Sequence, residues 1–144
     1  MWAGQLALVV SALFTGAALY VNVAEQPARL SLDDSALLAE WKAAYKHGTA
    51  MQAPLVIIGF VLGVLAWWET SDRRWLIGAV VLALNWPYTF FVIMPTNRQI
   101  LRADPAHAEP NSRTLVLNWG MLHTVRTLLG AIATIILLGP SMSY

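Results

Sequence analysis

Two uncharged stretches, Gly48–Trp68 (GTAMQAPLVIIGFVLGVLAWW) and Trp75–Asn97 (WLIGAVVLALNWPYTFFVIMPTN), flank one short charged turn, Glu69–Arg74 (ETSDRR). Each run matches the roughly 20 residues an α-helix needs to cross a hydrocarbon core of about 30 Å. The pair reads as a transmembrane hairpin, and the chain on either side repeats the pattern. Trp2–Ala24 carries no charge before Glu25 and Arg29, and the stretch from Thr114 to the C-terminus is interrupted by Arg126 alone. Four spans result, at about 2–24, 50–68, 75–95 and 115–138.

Composition agrees. Of 144 residues 58% are hydrophobic and only 12% charged, half the charge of an ordinary soluble domain. Disordered chains, disulfide scaffolds and water-soluble globules are excluded. The absence of cysteine removes CxxC redox motifs, cysteine zinc sites, iron–sulfur clusters and CxxCH haem attachment. Nine Lys/Arg against eight Asp/Glu, with no basic tract, give nucleic acid nothing to follow. The expected fold is all-α: one four-helix transmembrane bundle over residues 1–144, with a short interfacial helix between spans 1 and 2.

That short helix is read from Ser31 or Asp33 as its cap and from Leu37, Leu38, Trp41 and Tyr45 at helical spacing. The first span lacks a basic n-region and exceeds the apolar run of a signal peptide, so it is expected to be retained. Trp2, Trp67, Trp68, Trp75 and Tyr144 at one set of span ends, with Trp41 and Tyr45 at the other, read as interfacial belts. Six Lys/Arg on the side of loops 1 and 3, against two on the other, make this an integral multi-pass protein with those loops cytoplasmic and the termini opposite. Membrane lipid is its first expected partner.

Within an apolar bundle the polar residues carry the information, because each is costly unless paired or facing a cavity. Span 1 carries a stripe of Ser11, Thr15, Ala18, Asn22, Glu25 and Arg29, with Pro27 bending the chain beyond it. Span 3 carries Asn85, Thr89, Val92 and Thr96 on one helical face, disturbed by Pro87 and Pro95. Span 4 aligns Trp119, His123, Arg126 and Gly130. Alternating span direction then places Glu25, His47, Gln52, Thr96, Asn97, Asn118 and His123 in the same half of the bilayer. A shared polar pocket opening toward loops 1 and 3 follows.

The intramembrane glutamate needs a partner, either Arg126 or Arg29. A neutral His123 can accept a proton, and Arg126, three residues on, can hold a developing oxyanion. His47 and His123 leave a metal or axial haem site open, although no HxH, HExxH or Glu-x-x-His motif accompanies them. Gly59-x-x-x-Gly63 is a helix-packing signature that leaves a homo-oligomer open.

From span 1 to span 4 the chain resembles the DUF1772 family of small membrane proteins, which includes the anthrone oxygenases. The likeness rests on Phe14-Thr15-Gly16-Ala17-Ala18-Leu19-Tyr20 leading to Glu25-Gln26-Pro27-Ala28-Arg29, on Pro95-Thr96-Asn97, and on Trp119-x-x-x-His123-x-x-Arg126. It implies a membrane-embedded oxidoreductase, a monooxygenase that oxidises a planar aromatic or polyketide-like substrate with O2 and no cofactor. A base forms a carbanion that itself reduces O2. On this resemblance His123 is the base, Arg126 and Asn97 hold the oxyanion, and Glu25 orients the site. Tyr20, Trp86 and Trp119 offer aromatic surface, and Asn22, His47, Gln52 and Thr96 complete the substrate pocket. Two other classes stay open: a non-catalytic carrier of a small hydrophobic molecule, and a structural membrane subunit.

Overall fold

The computed structural model describes residues 2–143, and among them there is no strand. Four helices are long and apolar enough to cross a membrane: α1 (Trp2–Leu30), α2 (Asp34–Thr70), α3 (Arg73–Arg102) and α4 (Pro110–Ser141). They form an up-down bundle in which α1 packs on α2 and α4, and α3 packs on the same two helices. Both chain ends lie at one end of it, where Gln5 and Ser141 exchange hydrogen bonds of 3.0 and 3.3 Å. Large apolar side chains such as Phe91, Met121 and Ile135 face outward, as a lipid-solvated surface requires.

The interior is built from small residues that let backbones approach. A Cβ on Gly63 would sit 2.6 Å from the Ala79 Cβ, and one on Gly59 would strike Leu82. The Gly59-x-x-x-Gly63 face is thus used within the chain, between α2 and α3, rather than offered to a second copy. Between α1 and α4 the polar stripe is paired: Ser11 Oγ and Thr15 Oγ1 lie 2.9 and 3.1 Å from Thr134 Oγ1.

The helix expected in the first loop is present but has no break from span 2. Asp33 caps it, its carboxylate accepting from the Ala36 N–H at 2.9 Å, and α2 then runs 37 residues. At 1.5 Å per residue that is about 55 Å, well beyond the roughly 30 Å core. The overhang packs on the end of the bundle. It folds its Leu37, Leu38 and Trp41 against Ile93, Ile100, Val116 and Trp119 and lids the end of the bundle. Two belt readings change with it. Trp41 is fully buried and stacked on Tyr45, while Trp75 is fully buried beside Gly4 at the opposite end. Trp2 and Trp68 remain outward, and Tyr144 lies outside the described residues.

Prolines reshape two spans at the lidded end. Pro27 and Pro95 each lack the N–H that an α-helix would donate four residues back. Just before each, the helix widens into a π-turn, Val21–Glu25 in α1 and Thr89–Ile93 in α3, with Gln26 N–H reaching Val21 O and Met94 N–H reaching Thr89 O. Each π-turn adds one residue to the helical count and so rotates everything beyond it. In α3 the consequence is direct. The face begun by Asn85 and Thr89 continues through Ile93 and Asn97, both buried, and not through Val92 and Thr96. Loop 3 holds a single 3-10 turn, Pro105–His107, where the His107 ring meets Asp104 at 2.8 Å and holds its carboxyl below the usual carboxylate range.

Candidate functional site

The two π-turns, the lid and the uninterrupted α4 enclose one cavity of about 250 Å³ in the lidded half of the bundle. All four helices line it. Glu25 and Arg29 come from α1, and Trp41, Tyr45 and Gln52 from α2. Asn85, Trp86 and Asn97 come from α3, and Trp119, His123 and Arg126 from α4. The α4 set is an α-helical i, i+4, i+7 series, so sequence spacing places it correctly. The α2 stripe through 41, 45, 48 and 52 follows the same rule, and His47 falls one position short of it.

His123 is the most defined group. Asn22 donates through Nδ2 to the Gly120 carbonyl at 3.2 Å and to Thr124 Oγ1 at 3.1 Å, and its Oδ1 accepts from Thr127 Oγ1 at 2.6 Å. A carbonyl can only accept, so these contacts fix which end of the amide is oxygen. That oxygen lies 3.1 Å from His123 Nδ1, which must therefore carry the proton. Nε2 is left with the lone pair of a ring that borders the cavity. Trp119 leans over the same imidazole with ring centroids 5.0 Å apart.

The intramembrane charges divide differently from a simple pair. Arg29, 2% exposed, binds Glu25 through Nη2, Glu40 through Nε at 2.6 Å and the Gln26 amide oxygen at 3.1 Å. Its guanidinium also lies 5.4 Å from the Trp119 ring centre, forming the cavity's end wall. Of the two partners weighed for Glu25, Arg29 has it. Among the described residues Arg126 has no carboxylate at all. One nitrogen reaches Gln52 Oε1 at 3.2 Å, the guanidinium rests 5.6 Å from the Phe14 ring centre, and Nε is buried without a partner.

Arg126 Nε is not alone. Trp41 Nε1, Asn85 Oδ1 and Asn97 Oδ1 are likewise buried with no hydrogen bond and belong to cavity-lining residues, while a fifth such atom, Trp75 Nε1, lies at the opposite end of the bundle. Each such group costs about 1–3 kcal/mol until something satisfies it. Arg126, Trp41, Asn85 and Asn97, which carry two of the donors and both acceptors, all line one largely apolar space, as the few polar groups of a ligand site do.

The placement of the other expected residues follows. Gln52, Trp86, Asn97, Trp119 and Glu25 line the cavity, and Asn22 stands behind His123 rather than in the wall. Tyr20 is 60% exposed on the lipid face, because it lies half a turn away from the Ala18–Asn22 stripe. His47 and Asn118 are exposed outside the cavity, and Thr96 is turned away by the Thr89–Ile93 π-turn. His47 and His123 therefore do not share a metal or haem position, and no group of three His, Asp or Glu converges among the described residues. Asn85 and Trp41 were not among the expected site residues. An asparagine inside an otherwise uncharged span was the signal for the first, and a buried indole gave none.

Comparison with known proteins adds to this geometry. The family model described as "Anthrone oxygenase" matches residues 41–136, from the lid through α4. Anthrone oxygenase ptaC from Pestalotiopsis fici is 28% identical over 123 residues, covering 74% of this chain and 85% of that one. An anthrone oxygenase from Claviceps purpurea is 24% identical over 139 residues, covering 86% and 79% respectively. No solved structure matches the chain.

Proposed function

Because the chain belongs to the anthrone oxygenase family, we propose that it oxidises a planar aromatic substrate with O2 inside this cavity, through base-assisted carbanion formation. The observation that carries the reading is the tautomer of His123. The Asn22 carbonyl oxygen holds the proton on Nδ1, and Nε2 is a lone-pair base at the wall of an apolar chamber.

The steps balance without a further reductant. His123 Nε2 takes a proton from the methylene carbon between two aromatic rings, and the electron pair spreads onto the ring carbonyl as a phenolate-like oxyanion. The Arg126 guanidinium receives that oxyanion, with Asn97 lining the cavity from α3. The anion gives one electron to O2, and the resulting pair recombines as C–OO⁻, which takes the proton back from His123 as a hydroperoxide. Loss of the second C–H proton to His123 breaks the O–O bond, and the departing hydroxide takes that proton as water. The net change is CH2 + O2 to C=O + H2O. Trp86 and Trp119 offer faces for the rings, and Gln52 steadies the Arg126 guanidinium. Glu25 acts through Arg29, keeping the end wall in place. The positive-inside bias puts this end of the bundle toward the cytoplasm.

The test is O2 uptake by the detergent-solubilised protein with an anthrone, compared with His123→Ala, recording metal content and the visible spectrum on the same sample. Uptake that depends on His123 supports the reading. Uptake no faster than the spontaneous reaction sinks the anthrone assignment. A Soret band or a stoichiometric metal on which uptake depends sinks the cofactor-free route.

A further inference from the structure

The cavity's end toward the loops is shut. Arg29 with its two glutamates forms the wall there, and beyond it Leu37, Leu38, Trp41 and Ile100 are all fully buried. The exposed residues of the cavity lie elsewhere. They are Thr49, beside the half-buried Gly48 and Ala53 on α2, and Trp86 and Phe90 on α3. These two helices pack tightly in the half of the bundle that holds Gly59, Gly63 and Ala79. Past Leu84, where the α-helix of α3 is interrupted ahead of Pro87, they draw apart and meet again only at the lid, where Leu37, Leu38 and Trp41 pack on Ile93 and Ile100. The gap faces lipid. It continues along the outer surface as a second apolar groove of about 290 Å³, which includes Phe60 and Ala83 and shares Val56 and Trp86 with the cavity.

From this geometry we infer that the substrate enters sideways from the bilayer, between α2 and α3, past a gate formed by the stacked rings of Trp86 and Phe90. The inference rests on the reading above for the chemistry of the occupant: a flat, membrane-dissolved aromatic molecule. Three features of the opening suit that occupant. Its walls are apolar, as a molecule partitioned into hydrocarbon requires. The gating rings lie 6.1 Å apart and nearly parallel, 26° from coplanar, and so offer stacking faces. The π-turn Thr89–Ile93 beside the gate leaves Phe90 on a segment without regular α-helical bonding, where a small displacement costs little.

Gly48 supplies the test, since it lines the cavity beside Thr49 and a Cβ there meets nothing within 4 Å. The assay is stopped-flow association of a hydroxyanthraquinone with the protein in lipid nanodiscs, read by quenching of tryptophan fluorescence. Gly48→Phe is expected to slow association by about tenfold. Phe90→Ala, which removes one gating ring, speeds association and release. Gly16→Phe, which adds the same ring on the lipid face of α1 where nothing lies within 4 Å, leaves the rate unchanged. Wild-type association in both Gly48→Phe and Phe90→Ala overturns the proposal, as does equal slowing by Gly16→Phe. Quenching by brominated acyl chains that the probe cannot displace assigns the gap to lipid and also overturns it. Normal probe entry without any O2 uptake sinks the oxygenase reading and leaves the route standing.

Discussion

Replacing Asn22 by leucine tests the central claim about His123. Leucine matches asparagine in size but offers no acceptor to Nδ1. Of the four hydrogen bonds that Asn22 makes, the one that bears on the tautomer is the neutral contact of 3.1 Å to Nδ1, worth about 1–1.5 kcal/mol net. That energy is what separates the tautomer with a basic Nε2 from the one in which Nε2 carries the proton. Since about 1.4 kcal/mol is tenfold in an equilibrium constant, the tautomer ratio falls from about ten to one to about one to one, and the reactive form falls about twofold. The Thr127 hydroxyl, which also loses its acceptor, can turn to the carbonyl one turn before it, so the fold is not at stake. The expected result is a kcat about twofold lower at unchanged KM. Oxygen uptake across a range of substrate concentrations separates the constants. A raised KM at constant kcat would put Asn22 in contact with substrate, as the sequence alone suggested, and would refute its role as a positioning residue.

Other consequences follow from the same geometry. Arg126→Gln keeps a polar group beside Gln52 but removes the charge and the free Nε–H, so kcat should fall about 100-fold with a far smaller change in hydroxyanthraquinone affinity. An equal loss of affinity would place Arg126 in ground-state binding instead. Pro95→Ala returns the N–H that the Phe91 carbonyl lacks and lets the π-turn tighten to an α-turn, turning Asn97 off the cavity. Activity should then fall while thermal stability holds or rises; a variant that loses both would show that the π-turn is not what aims Asn97.

Why some of this was readable from the chain alone is a matter of counting. Uncharged runs bounded by charges fix four spans because a bilayer sets the length of an apolar helix, and span direction alone put Glu25, Gln52, Asn97 and His123 at one depth. Trp119, His123 and Arg126 were readable as one face because α4 carries no proline between Pro110 and Pro140 and keeps 3.6 residues per turn throughout. In α3 the same count failed. It chose Thr96 where the structure presents Asn97, since a proline two residues past the π-turn adds a residue that no periodicity shows.

Partner choice was beyond the sequence for a different reason. Glu25 had two arginines within plausible reach, and the outcome depended on Glu40, which arrives on another helix to complete the Arg29 cluster. Tyr20 and His47 were aromatic and polar in the right half of the bilayer, yet Tyr20 lies half a turn and His47 one position off its stripe, and both face outward. The sequence by itself determined the membrane bundle, the depth of its polar groups and the shared face of Trp119, His123 and Arg126 on α4, all consequences of local composition and regular helical geometry. Only the tertiary structure decided the tautomer of His123, the isolation of Arg126, the lid made by the overhanging α2 and the lipid-facing gap between α2 and α3. Each of these depends on which side chains from separate helices meet, and that is set by packing across the bundle.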